Sequence, residues 1–219
     1  LLFPVLCFYF LINKNARHAS KQYLWQLRQH LHNTDKPTLR NSFYHFWNFG
    51  LALLDKFGVW MGSITINDVT LHGDHYIKEL IAKKTGGILL ISHLGNFEIC
   101  HALSERHPSL KLTILHHSEH TEKFNKTLAR YVDSSHVEMM AVSEINVATA
   151  IRLSEKISQG ELIAIAADRV PIANPEAVAH IDFLGKKAPF PTGPFVLAVA
   201  LNAPVLALNC FKVENKHHI

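Results

Sequence analysis

Ile88-Leu89-Leu90-Ile91-Ser92-His93-Leu94-Gly95-Asn96-Phe97-Glu98 reads as a strand, a turn and the opening of a helix. The apolar run 88–91 has strand length, and the pattern from Phe97 predicts a helix over 97–105. Gly95 and Asn96 between them both tolerate turn geometry, and Asn can cap a helix. His93 therefore stands at a strand end with a carboxylate, Glu98, five residues on. Inside one regular helix that offset would put the two side chains on different faces. They meet only if His93 precedes the helix and Glu98 lies in its first turns, where the macrodipole also favours an acid. A histidine held by a carboxylate is a general base with an orienting partner. It suits taking a proton from a hydroxyl so that the oxygen can attack a carbonyl carbon. The plainer alternative is a capped strand–helix junction carrying an incidental histidine.

Outward from this stretch, β-rich runs alternate with helical patterns from Ser63 onward. Strands are predicted at 64–71, 88–92, 111–115, 137–141, 161–166 and 204–211. Helices are predicted at 76–84, 97–105, 122–132, 147–159 and 194–201, with Gly160 closing the fourth as a C′ glycine. Such alternation implies an α/β domain over 63–219, a mixed or mostly parallel sheet flanked by helices. Sites in such sheets gather at the carboxyl ends of strands, where His93, His116 and Asp168 all fall. Upstream, residues 1–62 read as apolar and basic membrane-associated helices. One over 16–31 carries Ala16, Ala19, Tyr23, Leu27 and Leu31 on one face and Arg17, Lys21 and Arg28 on the other. A second spans 38–57, with Leu39, Phe43, Phe46, Trp47, Gly50 and Leu54 on one face. Residues 1–12 are apolar apart from the Tyr9 hydroxyl. That run is shorter than the roughly 20 residues a span needs, so it reads as a buried helix or the tail of a longer transmembrane one. The basic residues that follow it mark a cytoplasmic side and favour anionic headgroups. Their order is the reverse of a secretory signal peptide. Both chain ends read as truncated within a larger protein.

Of the 219 residues, 48% are hydrophobic and 18% charged, a greasier balance than an average soluble domain. The net charge of +4 is too modest and dispersed to argue for nucleic acid. Cys7, Cys100 and Cys210 are odd in number and widely spaced, which gives no disulfide framework and suits a reducing compartment.

Several other patterns carry possible chemistry. His116-His117-Ser118-Glu119-His120 satisfies H-x-x-E-H, the inverted zinc peptidase pattern. It straddles a predicted strand–helix junction in a chain with 16 histidines, so a metal-dependent hydrolase stands as the alternative reading. Glu98-Ile99-Cys100-His101 is an E-x-x-H, but no second copy accompanies it, as a di-iron bundle requires. Arg130 and Arg152 lie on predicted helices. Each is a solvated charge or a contact for a phosphopantetheine arm or an acidic carrier. Asp168-Arg169 is a carboxylate–guanidinium pair at a strand end, suited to a sugar or phosphate or to a surface ion pair. Thr192-Gly193-Pro194 reads as N-cap, turn and first helical position. No serine or cysteine sits in a G-x-S-x-G elbow, so an acyl-enzyme is not indicated.

Three blocks together resemble a known family. His93 to Glu98 is similar to the H-x₄-D/E block of the lysophospholipid acyltransferase superfamily, and its wording HLGNFE resembles the bacterial branch of lipid A lauroyl and myristoyl transferases. Residues 161–169, ending in Ala167-Asp168-Arg169, resemble that branch's strand and A-D-Q or A-D-R turn. Residues 183–194 resemble its F-F-G-x₅-P-x-G-P segment. The resemblance implies a glycerolipid-acyltransferase-like αβα domain that moves a fatty acyl group from acyl carrier protein, or coenzyme A, to a hydroxyl of a membrane lipid. His93 would be the base and Glu98 would hold its tautomer. Gly95, Asn96, His116, Asn125, Asp168, Arg169, Thr192 and Gly193 would bind substrate. No metal and no cofactor is implied beyond the acyl donor. The partners implied are the acyl carrier protein, a membrane lipid and the cytoplasmic face of the bacterial inner membrane. A related branch acylating another lipid or a lipid-linked polyketide, and a non-catalytic lipid-binding member of the fold, are the further readings.

Overall fold

The computed structural model describes residues 2–96, 107, 110–116, 137–141, 147–171, 174–214 and 216–219. Its contacts divide the chain into two units, Leu1–Asp55 with His180–Pro189, and Lys56–Ala179 with Phe190–Ile219.

The first unit is built on α1 (Leu2–Ile12), α2 (Lys14–His30) and α3 (Leu39–Trp60). Asn13 caps α2, its side chain accepting from the Ala16 amide at 2.9 Å. Phe10 meets Phe43 and Phe46 edge-on at 5.4 and 5.0 Å, an arrangement the ring quadrupoles favour. Leu6 is buried against Gly50, where an added Cβ would come within 2.7 Å of its side chain. What α2 buries against α3 is polar: the Ser20 hydroxyl bonds Ser42 at 2.9 Å and meets His45 at 3.0 Å. The apolar face expected on α2 stays largely outside, with Ala19, Tyr23 and Leu31 exposed. Gln26 also donates to the Leu184 carbonyl at 2.5 Å. Among the described residues no helix is long and apolar enough to cross a membrane.

The second unit holds a five-stranded sheet of β2 (Gly87–Ile91), β3 (Leu112–His116), β4 (Val137–Ala141), β5 (Leu162–Ala166) and β8 (Val205–Leu208), in the order β4-β3-β5-β2-β8. Every pairing in it is parallel. Strands buried on both faces are apolar throughout, and β5 is buried at Leu162, Ile163, Ala164 and Ile165. Alternate residues feed two cores. Leu89, Ile91, Leu162, Ala164 and Leu208 pack with Ile77 of α4 (Asp74–Ala82). Ile88, Leu115, Ile163 and Ile165 pack with Leu153 and Ile157 of α5 (Val147–Ser158) and Ala198 of α6 (Gly193–Ala200). Helices thus cover both faces of the sheet. Gly160 (φ +86) ends α5 in a Schellman turn, its amide bonding Ile157 and the Glu161 amide bonding Lys156, both at 3.0 Å.

The differences from the sequence expectation have local causes. The strand expected at 64–71 is a 3-10 turn, Ile66–Asp68, leading into the short β1 (Val69–Thr70). Asp68 accepts from the Thr65 amide at 2.8 Å and hydroxyl at 3.1 Å, which curls the chain there. The strand expected at 204–211 breaks after Leu208. β9 (Phe211–Val213) instead joins β10 (Lys216–His218) antiparallel, and β10 pairs parallel with β1. An unforeseen two-stranded hairpin, β6 (Val178–Phe183) and β7 (Lys186–Pro191), turns at Leu184 (φ 50) and Gly185 (φ 77). Leu184 stands where the left-handed turn usually carries Asn or Asp, so the usual hairpin signal is missing. The helices expected at 97–105 and 122–132 lie outside the described residues.

Candidate active site

β2 and β5 are neighbours, with Ile91 opposite Ala166. The Ala167 amide continues the ladder to the Ile91 carbonyl at 3.0 Å. Counting two residues beyond the register brings His93 and Asp168 side by side at the carboxyl ends of the strands, where such folds place their sites. The Asp168 carboxylate meets two polar groups of His93. Oδ2 accepts from the His93 amide at 2.6 Å, and Oδ1 lies 2.9 Å from the ring Nδ1. The two side chains are 32% and 26% exposed, so the pair is shielded yet open to a substrate. Burial pushes the Asp168 carboxyl up, but the hydrogen bonds from the His93 ring and amide outweigh it and hold the carboxyl below its ordinary range. An ionised Asp168 can only accept, so the neutral ring carries its proton on Nδ1 and its lone pair on Nε2. Such an arrangement can serve a base.

The turn after His93 is packed from the other side by the exit of β8. Gly95 adopts φ +73, and a Cβ there would fall 1.7 Å from the Cys210 carbonyl oxygen. No other residue fits this approach. Asn96 is buried. The Ser92 hydroxyl bonds Asn209 at 2.9 Å, and the Leu94 amide reaches the same hydroxyl at 3.4 Å. Ser92 and Asn209 are absent from the sequence-based candidates. Their signal, two polar residues ending apolar strands, has meaning only once β2 and β8 are known to be neighbours.

The remaining candidates divide. Asp168 and Arg169 do not pair with each other. Arg169 is exposed and makes no hydrogen bond or ion pair among the described residues. Thr192 stands before α6, but its hydroxyl bonds the Ala177 carbonyl at 3.0 Å and does not cap the helix. The Ala177 carbonyl also takes the Thr192 amide, tying the α6 entry to residues before β6. Gly193 faces open space. His116 ends β3, which flanks β5 on the side away from β2. Arg152 is engaged with Glu138 at 2.6 Å. Glu98, His101, Asn125, Arg130 and the run 117–120 lie outside the described residues. Among the described residues no group of three or more His, Cys, Asp or Glu could hold a metal ion.

No curated protein matches the chain closely enough to be named as a relative. A family model described as bacterial lipid A biosynthesis acyltransferase matches residues 44–218, a span that contains the β2, β5 and β8 strand ends described above. The chain belongs to the bacterial lipid A biosynthesis acyltransferase family and is an acyltransferase acting on lipid.

Proposed function

We propose that the protein moves a fatty acyl group from the thioester of acyl carrier protein, or of coenzyme A, to a hydroxyl of a membrane lipid at the cytoplasmic face of the bacterial inner membrane. The observation that carries the reading is the two-point grip of Asp168 on His93. With Nδ1–H held by Asp168, Nε2 takes the proton of the lipid hydroxyl as its oxygen attacks the thioester carbon. An ester C–O bond forms, the C–S bond breaks, and the proton passes to the departing thiolate. Glu98 shares the orienting duty, as the family resemblance implies. Backbone amides of the Gly95-Asn96 turn are the candidates to meet the oxyanion.

Arg169 adds the acceptor side of the reading. Asp168 is committed to His93, so the guanidinium next to it is left for the phosphate or sugar of the acceptor. His116, Asn125, Thr192 and Gly193 are the further substrate contacts that the family resemblance implies. The first unit supports a membrane location: Val5, Phe8, Leu11 and Ile12 form an exposed apolar stripe along α1. Lys14 and Lys21 on the adjoining α2 supply positive charge toward anionic headgroups.

The test is acyl transfer from labelled acyl carrier protein and from labelled acyl coenzyme A to total membrane lipid, with the product identified by mass. His93→Ala is expected to lower the rate on the order of 10²–10⁴-fold. Equal product from wild type and His93→Ala would discard the mechanism, and the product mass names the acceptor.

A further inference from the structure

The turn that carries His93 is gripped on two flanks, and only one flank belongs to the acid–base pair. On the other, β8 runs parallel to β2 with Leu208 opposite Ile91, so Ser92 arrives opposite Asn209. The direction of the bonds follows from what each group can do. The Leu94 amide can only donate, so the Ser92 oxygen receives that proton at 3.4 Å and passes its own to the Asn209 Oδ1 at 2.9 Å. The next residue, Cys210, presses its carbonyl against Gly95. A strand exit thus touches the residues on either side of His93.

We propose that Asn209 is a positioning residue for the His93 base, acting through Ser92. The inference rests on the reading of His93 as the base of acyl transfer. Asn209 is exposed and Ser92 half-buried, and a neutral hydrogen bond in contact with water adds little to folding. Its effect is on the placement of the turn, where a shift on the order of 1 Å at a reacting group can change a rate about a hundredfold. Asp168 orients the ring, while Asn209 holds the backbone from which the ring hangs.

The experiment compares the full chain with Asn209→Ala, Asn209→Asp, Ser92→Ala and the double Asn209→Ala/Ser92→Ala variant. Asn209→Ala is expected to lower kcat about tenfold or more. The KM of donor and acceptor should not change, and the melting temperature should move by no more than about 2 °C. Asn209→Asp keeps an acceptor for the Ser92 hydroxyl and restores most of kcat. Ser92→Ala loses at least as much as Asn209→Ala, since it also removes the acceptor of the Leu94 amide. The double variant is no worse than Ser92→Ala, because the Asn209 bond is already gone in it. Wild-type kcat in Asn209→Ala, or a loss confined to KM, overturns the proposal. Should Asn209→Ala melt far lower, rescue in Asn209→Asp against loss in Ser92→Ala supports it, and equal loss in both overturns it. Nitrogen-15 spectra of the His93 ring read positioning without turnover. Faster exchange of the Nδ1 proton in Asn209→Ala supports the strut. An unchanged rate overturns it even if acyl transfer is not observed and the base reading fails.

Discussion

Asp168 gives one oxygen to the His93 ring and the other to the His93 amide, so its two acceptors face two donors. Asn in its place has one acceptor and one donor, and one of the two bonds must break. If the ring turns to meet the new donor, Nδ1 becomes the acceptor and the proton moves to Nε2, the wrong atom for a base. Asp168→Asn is expected to lower acyl transfer on the order of 10²–10⁴-fold with the fold intact. A surviving rate would pass the orienting duty to Glu98 alone. The same pair sets a pH dependence. The folded Asp168 carboxyl lies below its ordinary value, so its stabilisation is present above about pH 4, the unfolded range. It fades as pH falls through the lower folded value. Urea melts of wild type and Asp168→Asn should show a gap that persists from neutral pH down to that range and closes only below it. A gap already closing near pH 6 would contradict the assignment. Two glycines give a second contrast. Gly95→Ala forces a Cβ to 1.7 Å from the Cys210 oxygen at φ +73, so a loss of at least about 1–3 kcal/mol and of activity is expected. Gly193→Ala meets open space and is expected to stay within about 1 kcal/mol of wild type by the same melts. A fall in activity there would speak for Gly193 as a substrate contact.

Among the elements, α5 is tied to the sheet at the strand starts, opposite the site. Lys156 bridges Glu161 at 2.7 Å and Glu138 at 3.0 Å, and Arg152 meets Glu138 at 2.6 Å. Glu161 is only 7% exposed, so removing its partner leaves a buried carboxylate with Lys111 at 3.6 Å as its remaining cation. Lys156→Ala is expected to cost about 3 kcal/mol in urea unfolding, while Lys156→Met/Glu161→Leu recovers most of that loss. A double variant no better than the single one would argue against a buried-charge origin. These ties also bear on which elements are legible from sequence. Apolar runs of five residues, such as Gly87–Ile91 and Leu162–Ala166, announce themselves because a central parallel strand is greasy on both faces. The hairpin at Leu184-Gly185 does not, since its turn lacks the usual residue and most of β6 is exposed. The break after Leu208 is equally hidden. It follows from Asn209 and Cys210 turning to the residues around His93, a contact some 115 positions away in the chain.

At the scale of the whole molecule, the same distinction divides the site. His93 is legible from its own strand and turn, because strand, turn residues and histidine are contiguous. Its bond to Asp168 is not, because that depends on β5 lying between β3 and β2, an order no local pattern encodes. The resemblance to the family brings Asp168 to the site as a substrate ligand, whereas the geometry ties it to the ring. The proposed membrane attachment belongs to this scale too. α1 buries Leu6 against α3 and leaves Val5, Phe8, Leu11 and Ile12 exposed, so it is apolar on its inner and outer sides alike. A helix apolar all round is not at rest in water, and in the proposed reading the outer side of α1 meets the bilayer. Each large apolar side chain moved from water into lipid contributes about 1.5–3 kcal/mol when fully buried. Replacing Val5, Phe8, Leu11 and Ile12 by Asn or Gln leaves the Leu6 and Phe10 contacts untouched. The replacement is expected to weaken partition onto vesicles containing anionic lipid by about a hundredfold or more, since even half of that sum exceeds the roughly 2.8 kcal/mol that hundredfold represents. Sedimentation with vesicles measures it, alongside helix content to confirm that the unit is folded. Unchanged partition in a folded variant would remove α1 as the contact with the bilayer.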